Sequence, residues 1–172
     1  FNIKIDFLTN HSKKILNNRK LNYSEKDENK VSKYASVFTI MSEGVPMIVD
    51  NDTINFKPFT YDFEDVFGHQ EYSNLFVSKL LNTQKGNCNS MPYLYKILAE
   101  ELGVTANLAL APNHIYIKHN IKSIGWYNTE LTSGIFPQDS WLMASGFIHL
   151  NAIQNGVFLK ALNDKESLAL LL

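Results

Sequence analysis

Cysteine is nearly absent: Cys88 is the only one in 172 residues. That excludes an internal disulfide and a thiolate metal cluster within one chain. The thiol is left as either a small buried hydrophobe or a reactive group. A charge excess of either sign is also missing. Sixteen basic and seventeen acidic residues give a formal charge of −1, so there is neither the basic footprint that nucleic acid needs nor an acidic tail. No apolar run approaches the roughly 18–20 residues that span a bilayer. His11, His69, His119 and His149 are scattered without metal-site spacing, and no calcium-loop ligand run occurs. The chain opens on Phe1 rather than methionine, and residues 165–172 read as a helix cut off in mid-course. The expectation is therefore a piece of a longer protein, and a missing leader leaves the compartment open.

What is present suffices for one domain, because 45% apolar content supports a core at this length. Residues 17–30 are charged and asparagine-rich, and residues 1–7 alternate loosely, as a strand or an ordered lead-in would. Ser24 with Asp27 resembles a capping box, and Val31, Tyr34, Ala35, Phe38 and Met41 follow at helical spacing until Gly44 and Pro46. Residues 54–63, broken by Pro58, read as an irregular or extended link. Leu75, Phe76, Lys79 and Leu80 place a second helix over 72–81. Met91, Leu94, Ile97, Leu98 and Leu102 mark one face of a helix over 89–102, with Pro92 tolerated in its first turn and Gly103 as its left-handed stop. The period then changes to two. Residues 107–111, 114–118 and 125–131 read as strands, with 120–125 as a hairpin connection. Pro137-Gln138-Asp139 reads as a turn, and a terminal helix begins near Asn163 or Asp164. Helices first and short strands second predict an α+β class with an antiparallel sheet.

Three residues stand where thiol chemistry would need them. Cys88 falls at a helix start, where unpaired N–H groups and the helix dipole favour a thiolate and can hold an oxyanion. Gly86 would let the backbone turn there and leave room for a substrate. His114 opens a strand past Pro112-Asn113 and is the candidate base. Glu130, on the next strand, is the candidate orienting group, because adjacent antiparallel strands would set the two side by side.

Gly86-Asn87-Cys88 before a helix, then Pro112-Asn113-His114-Ile115-Tyr116-Ile117, then Gly125-Trp126-Tyr127-Asn128-Thr129-Glu130-Leu131-Thr132, resembles the transglutaminase-like (papain-like) cysteine hydrolase superfamily. The resemblance is narrower to bacterial transglutaminase-like domains often followed by tetratricopeptide-type helices. It implies an α+β fold with the nucleophile at a helix N-terminus packed on an antiparallel sheet that carries the histidine and the acid. It also implies Cys88 as nucleophile, His114 as general base, and Glu130 where the family usually has Asp. Asn128 is the alternative orienting residue, and Gln84 the candidate oxyanion-hole side chain. The implied activity is acyl transfer on a peptide or protein amide, by hydrolysis or transamidation, without a cofactor. A helical-repeat region would follow in the full-length protein, and bacterial cytoplasm and cell envelope both fit. A silent domain that binds a partner peptide is the rival reading, kept open by Glu in place of Asp. Elsewhere, Trp126 and Trp141 read as packing residues, Tyr93 and Tyr95 as cover for the helix surface, and His119 as solvated. The cluster 62–65 reads as a solvated acidic turn or helix start rather than a cation site.

Overall fold

The computed structural model describes residues 1–23, 25–49 and 52–171. Residues 1–7 do not form a strand; they open helix α1 (Asn2–Asn18). Its buried Ile5, Leu8, Thr9 and Ser12 follow i, i+3, i+4, i+7 spacing. Half of that stripe is polar, which hides it from a hydrophobicity count, while Phe1 and Ile3 are exposed. Helix α2 (Glu28–Ser42) follows; the expected start at Ser24 lies outside the described residues. Its most deeply buried residues are Val37, Ile40 and Met41; of the expected stripe Tyr34 and Met41 are buried, Phe38 packs partly on the core, and Val31 and Ala35 are half-buried. Glu43 leaves the helix extended, and the chain runs directly into a hairpin, β1 (Val45–Val49) with β2 (Asp52–Phe56). The expected irregular link thus holds a paired strand.

A two-residue strand, β3 (Thr60–Tyr61), pairs in parallel with β4 (Lys85–Gly86), Tyr61 opposite Gly86. Between them Asp65, expected in a solvated acidic turn, is buried instead. Its carboxylate accepts from Gln70 N, Glu71 N and Asn74 Nδ2 at 2.8–3.2 Å and so organises the turn. The helix expected over 72–81 is split into a 3-10 turn (Tyr72–Leu75) and α3 (Val77–Thr83), separated by an extended Phe76.

Helix α4 (Ser90–Glu101) lies where its stripe predicts, with Met91, Leu94, Leu98 and Leu102 buried and Gly103 at φ +71°. Tyr95, expected on the surface, is 1% exposed and donates to Tyr34 O at 3.1 Å. Three antiparallel strands follow in order: β5 (Asn107–Ala111), β6 (His114–Ile121) and β7 (Gly125–Thr129). Leu108, Leu110, Ile115 and Ile117 share one face and join the principal core of α1, α2 and α4. Ala109, Ala111 and Tyr116 share the other face and pack with Leu142, Ile148 and Leu159. The segment after Gly134 holds two unforeseen short helices, α5 (Asp139–Ser145) and α6 (Leu150–Gln154). The terminal helix α7 (Asp164–Ala169) opens on a capping box of Asn163 and Glu166.

The architecture is α+β, with small, mainly antiparallel sheets. Among the described residues no helix is long and apolar enough to cross a membrane. Besides Asp65 and Tyr95, three further expectations about exposure are overturned. Trp126 and Trp141 are 51% and 53% exposed rather than packed. His119 is wholly buried rather than solvated, because β6 runs on to Ile121 and its odd-numbered face looks toward α2 and α4.

Candidate functional site

The site begins with Asn87, which is fully buried. Its backbone carbonyl accepts from Met91 N, and its side-chain Oδ1 accepts from Asn89 N, Ser90 N and Ser90 Oγ. Asn87 is therefore the functional cap of α4, and Cys88 occupies the first turn. The Cys88 N–H makes no hydrogen bond to any described residue. Gly86 plays a different part from the one expected. A Cβ there would lie 2.7 Å from both Leu80 Cδ1 and Ser90 Oγ, so the glycine lets α3 and α4 close around the thiol loop rather than making room for substrate.

The turn Ala111-Pro112-Asn113-His114 aims the histidine. Proline suits the first central position, and Asn113 supplies the positive φ (+57°) that a type II turn requires at the second. Cys88 Sγ donates toward Asn113 O at 3.9 Å, which sets the thiol against the turn that carries His114 and close enough to act on its ring. His114 Nε2 pairs with Glu130 Oε2, which leaves Nδ1 as the ring nitrogen that the carboxylate does not engage. Glu130 follows the end of β7 and forms a bridge with Ile135. Its second oxygen accepts from Thr132 N at 2.8 Å and Thr132 Oγ1 at 2.7 Å. Burial alone would lower the His114 pKa. The hydrogen bonds and negative charges of Cys88 and Glu130 outweigh it and raise the ring from 6.5 to about 9. Burial likewise pushes the Glu130 carboxyl up, but His114 and Thr132 hold it below its ordinary value.

Cys88, His114 and Glu130 thus converge, whereas the other two candidates do not join them. Asn128 Nδ2 donates to Pro137 O at 2.9 Å and Asp139 Oδ1 at 2.8 Å; it ties β7 to α5 and does not orient His114. Gln84 is the left-handed cap of α3, and its Nε2 donates to Lys57 O at 3.0 Å. It lines a groove with Lys4 and Phe7 and is committed to structure rather than to an oxyanion. One residue went unnoticed in the sequence. Tyr61 sits in the field of the site: burial, then the charges of Cys88 and Glu130, push its hydroxyl up to about 12. Only the parallel pairing with Gly86, across 25 residues of sequence, brings it there, and no local signal announces such a contact.

Cys88 itself is 3% exposed. The adjoining cavity, of about 280 Å³, reaches Ala111, Pro112, His114, Glu130 and Trp141 but not the thiol. Among the described residues no group of three or more His, Cys, Asp or Glu side chains could hold a metal ion. No family model matches the chain, and no curated protein or solved structure matches it either.

Proposed function

We propose that the chain carries a transglutaminase-like, papain-like fold and acts as a thiol-dependent acyl-transfer enzyme on peptide or protein amides. One observation carries this reading: the lone cysteine, in the first turn of a buried helix, lies against the turn that presents a histidine whose Nε2 is held by a carboxylate. In the proposed cycle the Cys88 thiolate attacks the amide carbonyl. His114 gives its proton to the departing nitrogen as the C–N bond breaks, leaving a thioester. Water or a second amine then loses a proton to His114 and attacks the thioester, and the C–S bond breaks to restore the thiolate. Glu130 keeps the ring oriented and stabilises its charge. The free Cys88 N–H and the Tyr61 hydroxyl are the donors for the oxyanion.

The test is the pH dependence of Cys88 alkylation by iodoacetamide. Wild type is expected to react readily at pH 6, and His114→Ala to fall about 100-fold there, toward the behaviour of an ordinary thiol. Equal, slow rates in both proteins would remove the catalytic reading. Tyr61→Phe gives an independent check. Its acylation by p-nitrophenyl acetate should drop about 100-fold, while alkylation, which forms no oxyanion, stays at the wild-type rate. Unchanged acylation would strike Tyr61 from the site.

The near-complete burial of Cys88 favours a second reading, a silent peptide-binding domain of the same fold. Labelling that appears only on unfolding would decide for it.

A further inference from the structure

We propose that Trp141, with Pro112 and Leu142, forms a subsite for an uncharged aromatic or large apolar side chain next to the amide that Cys88 attacks. The inference rests on the amide-cleaving reading for its meaning and on separate observations for its content. Trp141 lines the cavity that contains His114 and Glu130. It also lines a second cavity, of about 480 Å³, with Ile135, Phe136 and Pro137. The indole therefore joins two hollows into one surface that starts at the histidine, its apolar part made by Pro112, Leu142, Ile135 and Phe136 and its edge by serine and threonine hydroxyls.

Three features make this a built subsite rather than a stray exposed residue. First, the aromatic surface is left open at a cost: Trp141 is 53% exposed and Phe136 57%, although burying such rings is strongly favourable. Secondly, the platform is fixed. Asp139, at the start of α5, accepts two 2.8 Å bonds from the buried Lys118, and Ser145 Oγ closes the helix onto Trp141 O at 2.9 Å. An anchored aromatic loses little entropy on binding. Thirdly, the lining of the first cavity contains no Lys, Arg or Asp, and its single carboxylate, Glu130, is occupied by His114. The His114 cation is likewise held by Glu130, so a charged side chain would be desolvated there without a free partner, and the occupant is uncharged.

Tryptophan provides its own reporter. In a Trp126→Phe variant the remaining emission belongs to Trp141. Titration with N-acetyl-phenylalanyl-glycinamide should give a saturable change in that emission. N-acetyl-aspartyl-glycinamide should need at least about tenfold more ligand for the same change, a difference of about 1.4 kcal/mol. Trp141→Ala, tested with the p-nitroanilides of the same residues, should raise KM for the phenylalanyl substrate at least about tenfold with iodoacetamide labelling unchanged. Equal responses to the two amides, or no response to either, would overturn the subsite. The two readings fail separately: an unprimed thiol with a selective emission change leaves a binding surface without catalysis. A primed thiol with no selectivity leaves catalysis without this subsite.

Discussion

Acidification from about pH 6.5 to about 3.5 is expected to cost the native state about 4 kcal/mol through one side chain, His119. The ring is fully buried among Tyr34, Tyr95 and Tyr127, with centroids 3.9, 5.4 and 4.8 Å away. Its Nδ1 pairs with Thr129 Oγ1 at 3.2 Å, and its Nε2 has no partner among the described residues. Burial, helped by the charge of Lys30, lowers its pKa to about 3. The unfolded ring takes up its proton below about 6.5, and the folded ring only below about 3. Protons therefore favour the unfolded chain throughout that interval, and stability falls as pH falls. His119→Phe keeps an aromatic in the same nest and removes the titration. Urea midpoints at pH 7 and about 3.5 should show a much smaller loss in the variant. Parallel losses in the two proteins would show that the ring is not held neutral.

The second large effect lies at Asp139. Lys118 Nζ is buried, and it donates to both Asp139 oxygens and to Leu159 O at 2.9 Å. Asp139→Ala leaves a buried ammonium with one carbonyl and also removes the acceptor for Asn128. Its expected cost is about 3 kcal/mol, at the lower end of the range for a broken buried pair because the carboxylate is itself half exposed. Lys118→Met should cost much less, about 1 kcal/mol, since the abandoned Asp139 remains solvated. Thermal or urea denaturation of the two variants checks the asymmetry. Equal losses would mean that the pair acts through geometry rather than through the unpaired charge.

Legibility followed locality. The α4 stripe, its Gly103 stop, the two-residue turn before His114 and the strand pattern around Glu130 are all written within a few neighbouring residues, and the structure reproduces them. Helix α1 was hidden because Thr9 and Ser12 occupy half of its buried stripe. Its apolar residues also happen to alternate. The short helices α5 and α6 were hidden for want of length. His119 and Asn128 were misassigned for a shared reason. Both depend on tertiary placement: for His119 the alternation does not say which face is wet, and Asn128, on the expected face, is paired by the register with Lys118, four residues along β6 from His114. Trp141 and Tyr61 are placed by contacts tens of residues away, beyond the reach of any periodicity.

The two sides of the thiol site differ in the sequence distance over which they are assembled. Strands β5 to β7 are joined by residues 112–113 and 122–124 alone, so His114 and Glu130 meet through nearest-neighbour hairpins that can close early. Cys88 joins them only when α4 docks and the four-residue Tyr61–Gly86 pairing closes a far longer loop. A partial opening of that docking would release the thiol while the histidine and the glutamate stayed paired. The step that frees the thiol from its partners is thus separable from melting of the sheet.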